Sequence, residues 1–267
     1  MTDARHQTGN DTGRRGATAM RPEDHGEPGA DIHIRRSHPP AFNVPGIILV
    51  LIAIFALVHG VRVYLLGPVA TAQALLDLAF IPGCYGDVDP VCGFRTPGAD
   101  LWSPLSYAFL HGDWTHFGAN AVWLLAFGTP VARRVGVTWF LAFCTCGAIA
   151  GAAAFYLLNP TLIVPVIGAS GIVSALMGGA CRFAFGGRVS LAPGRSNGPL
   201  VSIGESLSNR TVLIFIAVFF GTNLLIGSGV GGEMGGGAVA WEAHLGGFAF
   251  GFLLFRLFDP LSRPLRR

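Results

Sequence analysis

VIGASGIVSALMGG, from Val166 to Gly179, is apolar or small at nearly every position, yet Ser170 stands between Ala169 and Gly171. Two readings of that hydroxyl are open. Serine is common where membrane helices pack closely, and taken alone Ser170 reads sooner as packing than as chemistry. A serine is also a nucleophile once a base is at hand to take its proton. The surrounding chain has to decide, and the first question is whether the stretch belongs to a membrane protein.

The chain has 267 residues, of which 51% are hydrophobic and 12% charged. A soluble domain usually carries roughly 25% charged residues. The mean hydropathy is +0.54, and the apolar residues are gathered rather than scattered. A membrane-spanning helix needs about 20 apolar residues. Segments of that kind run at 44–66, 113–132, 137–158, 170–186, 211–228 and 240–257, the fourth being short. The expected fold is therefore all-α: a polytopic membrane protein with a bundle of six transmembrane helices over 42–259. Residues 1–41 are polar, mixed in charge and rich in Gly and Pro, so a disordered tail is expected there. That tail has no apolar core of a signal peptide, and its acids argue against a transit peptide. Residues 260–267 form a short basic tail. The net charge of +3, with no basic stripe or aromatic platform, points away from nucleic acid.

All eighteen basic residues are Arg. Sixteen fall on one side if the N-terminus is cytoplasmic: six in the tail, then Arg133, Arg134, Arg182, Arg188, Arg195, Arg210, Arg256, Arg263, Arg266 and Arg267. Only Arg62 and Arg95 fall towards the other side. The positive-inside rule then puts both termini in the cytoplasm and runs spans 2, 4 and 6 from outside to inside. The connector 67–102 lies outside and holds Cys84 and Cys92. An oxidising exterior permits a disulfide between them, and two free thiols remain an equal alternative. Cys144, Cys146 and Cys181 read as small buried residues. Cys144 and Cys146, two apart, face different ways on a helix, which argues against a metal site.

Polar groups inside spans are costly and mark function. Span 2 carries His116 and Asn120 in HGDWTHFGAN, with His111 just before it; span 4 opens at Ser170; span 6 carries His244 in WEAHLGGFAFG. Ser170 to Arg182 and His244 to Arg256 are each twelve residues, about 18 Å of helix, and Asn120 to Arg133 is thirteen, about 20 Å. Parallel helices thus put these groups in one layer, roughly 10 Å below the outer surface of a ~30 Å hydrocarbon core. Gly171, Ala175 and Gly179 on span 4 match Ala243, Gly247 and Gly251 on span 6 in four-residue spacing, which allows close backbone approach.

In that layer His244 can act as the base for Ser170, an effect typically of about 10²–10⁴-fold. No acid occurs between Asp113 and Glu205, and Glu242 lies on roughly the opposite helix face from His244. The reading is a Ser–His dyad. His116 and Asn120, four apart, share a helix face and can donate hydrogen bonds to an oxyanion, joined by the Ser170 N–H at the start of its helix. Backbone before Ser170, NPTLIVPVIGA, holds two prolines and cannot form a clean helix. Such backbone is tolerated at membrane depth only inside protein or beside a water-filled cavity, and hydrolysis needs water. The motif departs from the G-x-S-x-G elbow, because Gly171 follows the serine directly and no strand–helix pattern surrounds it.

GASG at 168–171, HGDWTHFGAN at 111–120 and AHLGGFAFG at 243–251 resemble the three signatures of the rhomboid intramembrane serine proteases, in the same order on spans 2, 4 and 6. The resemblance covers about 44–259 and implies the basic six-span bacterial form. It implies Ser170 as nucleophile, His244 as base, and His116 and Asn120 as oxyanion side chains. His111, Gly168, Gly171, Ser174 and Gly247 fall in or beside the signatures as supporting positions. It further implies transmembrane protein substrates cut near the outer face, no cofactor, and residence in a bacterial plasma membrane. Two positions depart from the pattern. Trp102 is followed by Ser103 where many members have Arg, and Ser174 stands where some have an aromatic ring against the histidine. Two other classes stay in view: a catalytically silent adaptor that binds membrane clients, and a transporter using the histidines as a proton relay. The intact polar set argues against the first, and the few polar groups in the inner halves of spans 2, 4 and 6 argue against the second.

Overall fold

Each of the six apolar segments contains helix in the structure, a computed structural model that describes residues 44–86, 89–185, 199–227 and 240–262. Ten α-helices are described: α1 (Gly46–Gly60), α2 (Pro68–Leu78), α3 (Ala99–Ser106), α4 (Trp114–Trp123), α5 (Thr129–Val135), α6 (Val137–Leu158), α7 (Ser170–Ala180), α8 (Ile203–Ser208), α9 (Arg210–Gly227) and α10 (Trp241–Leu254). No strand occurs among the described residues; a single antiparallel bridge pairs Phe80 with Val166. The tail 1–41, and Arg188, Arg195, Arg263, Arg266 and Arg267 of the orientation argument, lie outside the described residues.

α1 continues as a π-helical turn to Leu65, and among the described residues Gly46–Leu65 and α6 are the two helices long and apolar enough to cross a bilayer. α7 and Arg210–Leu225 are apolar but shorter. The segment expected as one helix over 113–132 is instead α4, a π-helical turn at Leu124–Gly128, and α5. Pro130 in the first turn of α5 supplies no N–H to the ladder, and the widened turn ends just before it. The segment expected to run to 186 leaves helix after Ala180. There Arg182 is bonded to Val201 twice, by its carbonyl to the Val201 N–H (2.9 Å) and by its Nε to the Val201 carbonyl (3.0 Å), and the chain turns.

The connector before α4 is folded, which hydropathy did not indicate. It carries α2, α3 and three short 3₁₀ turns. Arg95 ties it together, donating to the carbonyls of Leu76 (2.8 Å) and Ala79 (3.4 Å) and pairing with Asp100. Trp102 Nε1 donates to Asp77 O (2.8 Å), and Ser103 is buried beside the Tyr85 hydroxyl at 3.1 Å. Cys84 and Cys92 form a disulfide, which settles the pairing left open above.

α7 is the axis of the core. Gly171 through Ala180 are all buried. Small residues let its neighbours reach its backbone. Gly247 lies against the Gly171 carbonyl, Gly251 against Ala175, and Gly179 against Phe255. The offset of 76 is the same in each pair, so α7 and α10 run parallel in register. The two four-residue ridges of the sequence therefore meet. α6 closes the third side, with Gly147 facing Ala175 and Gly151 facing the Ala243 carbonyl. A β-carbon at Gly251 would run into backbone of Ala175, which no rotamer change relieves.

Candidate functional site

The chain between α6 and α7, residues 159–169, is non-helical, as its prolines predict. Val166 exchanges both backbone bonds with Phe80 (3.1 and 2.8 Å), which holds this segment to the folded connector. Gly168 N donates to Tyr107 O at 3.0 Å and adopts φ +115°, a conformation that favours glycine. The chain then enters α7 at Ser170. The amides of a helix's first turn have no acceptor within the helix, so the Ser170 N–H is aimed outward at the positive end of the dipole.

Gly168 is where two of the candidate side chains converge. A β-carbon built there would lie 2.6 Å from His116 Nε2 and 3.8 Å from Ser170 Oγ. The missing side chain at 168 leaves room for both. His116 Nδ1 accepts the Gly112 N–H at 3.3 Å. A ring nitrogen that accepts carries no proton, so neutral His116 holds its proton on Nε2, the atom that faces Gly168. The loop that delivers the Gly112 N–H is itself held by Arg62, whose Nη2 donates to the carbonyls of His111 and of Gly112 (3.1 Å). Asp113 caps α4, accepting from His116 N at 2.7 Å.

Asn120 lies one turn further along α4, buried, with Nδ2 donating to the His116 carbonyl at 2.9 Å. His111 is fully buried, its ring edge-on to His116 at 5.4 Å and wedged against Phe55 and Phe117. Gly171 has the Tyr107 hydroxyl 2.6 Å from where a β-carbon would stand, and that hydroxyl donates to Ala148 O at 2.9 Å. Tyr107 thus floors the site from below, a role its place in an ordinary apolar run does not announce.

His244 is reached through the α7–α10 contact. Gly247 lies on the Gly171 carbonyl; His244 stands three residues before Gly247 and Ser170 one residue before Gly171, both towards the N-terminal ends of the two parallel helices. Among the described residues no hydrogen bond joins Ser170 Oγ to His244. Such bonds are often long in unliganded sites and tighten in the complex. Glu242 is turned elsewhere, accepting from Asn159 Nδ2 at 3.3 Å. Ser174 is buried on α7, and the residue bonded to the His244 ring is instead Asn223 of α9, by Oδ1 to Nδ1. Asn223 was not singled out in the sequence, although a signal was there. It lies thirteen residues from Arg210, the same helical distance that separates Asn120 from Arg133.

The fold and site together define an all-helical protein with bilayer-length apolar helices and a serine–histidine–asparagine cluster at one end of a buried glycine-rich helix. The rhomboid domain matches residues 98–259, more than half of the chain, and this chain belongs to the rhomboid family, a family of membrane proteins. It is also similar to the human rhomboid-related protein 3, with 35% identity over 79 residues. That stretch is 30% of this chain and spans 19% of the length of the human protein.

Proposed function

We propose that the protein is an intramembrane serine endopeptidase of six spans that cuts transmembrane protein substrates near the outer face of the membrane. Both termini lie in the cytoplasm of a bacterial cell and the protein sits in its plasma membrane. The observation that carries this reading is the convergence on Gly168: a hydroxyl and an imidazole N–H share the space that its missing side chain vacates, at the N-terminus of α7.

In the proposed reaction Ser170 Oγ attacks the scissile carbonyl carbon while its proton passes to His244 Nε2. The oxyanion that forms accepts from the Ser170 N–H and from His116 Nε2–H. Asn120 Nδ2 spends one hydrogen on the His116 carbonyl and has a second for the same oxyanion. The C–N bond then breaks, and the leaving amine takes the proton from His244. A water repeats the sequence, giving its proton to His244 and its oxygen to the acyl carbon, and the serine is regenerated. Each donor removed is expected to cost about 10²–10³ in turnover. In this reading water reaches the acyl group past the non-helical segment 159–169, whose backbone leads into Ser170.

The test is cleavage of a transmembrane model substrate co-reconstituted in liposomes. Wild type is expected to yield two fragments, and folded Ser170→Ala and His244→Ala none. Binding of substrate by folded wild type without cleavage, in detergent and in liposomes alike, would contradict the reading and favour a client-binding adaptor.

A further inference from the structure

We infer that Asn223 is a positioning residue that fixes the proton of His244 on Nδ1 and so keeps Nε2 free to act as base; the inference rests on the protease reading above. Three observations carry it. First, the Asn223 amide can be oriented without ambiguity. Its Nδ2 donates to the Phe219 carbonyl at 2.7 Å, and a carbonyl can only accept, so Oδ1 is the atom that faces His244. Second, Oδ1 meets His244 Nδ1. An amide oxygen also only accepts, so the ring nitrogen it meets must bear the proton, and in the neutral ring Nε2 is then bare. Third, the pairing is set by packing rather than by chance contact. Phe219 stacks on Phe248 at 5.2 Å, and Phe220 meets the same ring edge-on at 5.2 Å. α9 and α10 run antiparallel through that stack, so one turn beyond Phe219 lies Asn223, and one turn before Phe248 lies His244.

The histidine of a serine hydrolase needs a third group to hold its tautomer, and that group need not be an acid. No carboxylate among the described residues is bonded to His244, whose ring meets Asn223. An amide does the orienting without placing a charge in an apolar surround, where an unpaired carboxylate would be costly. The two imidazoles of the site are then locked in opposite senses. His116 accepts at Nδ1 and donates from Nε2; His244 donates from Nδ1 and accepts at Nε2. One faces the oxyanion as a donor, the other faces the serine as a base.

The experiment uses full-length protein in detergent with ¹⁵N-labelled histidine. Two-bond nitrogen–proton spectra report the tautomer of His244, assigned by loss of its signals in His244→Ala. Cleavage of the model substrate is measured alongside. In wild type His244 is expected as Nδ1–H. Asn223→Leu is expected to give mixed tautomers and to lower kcat about 10–100-fold, the scale on which outer partners of functional histidines act, with KM little changed. Asn223→Asp, which keeps an accepting oxygen against Nδ1 and as the neutral acid can still donate to the Phe219 carbonyl, is expected to keep Nδ1–H. An unchanged tautomer and kcat in a folded Asn223→Leu would overturn the inference, as would Nε2–H in wild type. A wild type that shows Nδ1–H but cleaves nothing would overturn the protease reading and leave the assignment of the ring standing.

Discussion

Ser170 opens α7 among uncharged partners, whereas Arg182, twelve residues on, closes it among charges and carbonyls. At the arginine end, Arg134 pairs with Asp259 at 2.8 Å with both side chains buried, and the same guanidinium lies 4.7 Å over Phe183. Arg182 Nη1 donates to the Phe252 carbonyl at 2.6 Å, tying α7 to the end of α10. At the serine end, Asn120 is bonded to His116 and Asn223 to His244, and the groups are held by hydrogen bonds between uncharged partners, several of them backbone. A buried ion pair is hard to disturb, since removing one partner strands the other. A neutral network keeps groups in place and still lets a proton move. The same helix therefore has one end built as an anchor and the other as a site, with the glycine and alanine contacts of α7, α10 and α6 as the frame between them.

That contrast makes a graded set of outcomes. The largest is at the anchor. Asp259→Asn leaves Arg134 buried without its carboxylate, and a loss of about 3–5 kcal/mol is expected. It should appear as a marked fall in the thermal unfolding midpoint in detergent, while serine reactivity at low temperature persists. An unchanged midpoint would break the contrast. The next is at the site. His116→Ala is expected to cut turnover about 10²–10³-fold with the unfolding midpoint nearly unmoved; a collapse of stability instead would make His116 part of the frame. The smallest is in the folded connector. Burial would raise the Asp77 carboxyl, but the Thr96 N–H (2.7 Å), Gln73 Nε2 (2.9 Å), the Thr96 hydroxyl (2.9 Å) and the charge of Arg95 outweigh it and hold it below the usual carboxylate range. A lowered folded value stabilises the fold above the ordinary carboxylate pKa and loses that contribution as pH falls through the folded value. The protection factor of the Thr96 amide, its exchange measured against the intrinsic rate at each pH, should therefore fall as the solution is acidified through that range in wild type. In Asp77→Asn that pH dependence should be absent.

The helical segments and the α7–α10 contact were legible in the sequence because both rest on local pattern. Apolar runs of bilayer length announce helices, and small residues every fourth position announce close approach. The break between α4 and α5 was legible in principle at Pro130, but hydropathy averages over a single missing N–H. The connector was not legible. Its fold depends on Arg95 reaching carbonyls of Leu76 and Ala79 across a gap of sixteen residues or more, and on a bridge between Phe80 and Val166 from segments far apart in the chain. Arg62 and Arg95, the two arginines that broke the charge pattern, turn out to be bonded into the fold, one to the loop that orients His116 and the other to the connector. Asn223 was passed over because depth was compared only among spans running the same way. Its depth matches theirs when counted from Arg210 on the antiparallel helix.

The most direct measurement is labelling of detergent-purified protein by a fluorescent fluorophosphonate, which reacts only with an activated serine. Wild type is run beside Ser170→Ala and His244→Ala, each shown to be folded. Signal from wild type alone is the expected result, and it would establish an activated nucleophile at position 170. Equal labelling of wild type and Ser170→Ala would place the reactive serine elsewhere and contradict the site described here.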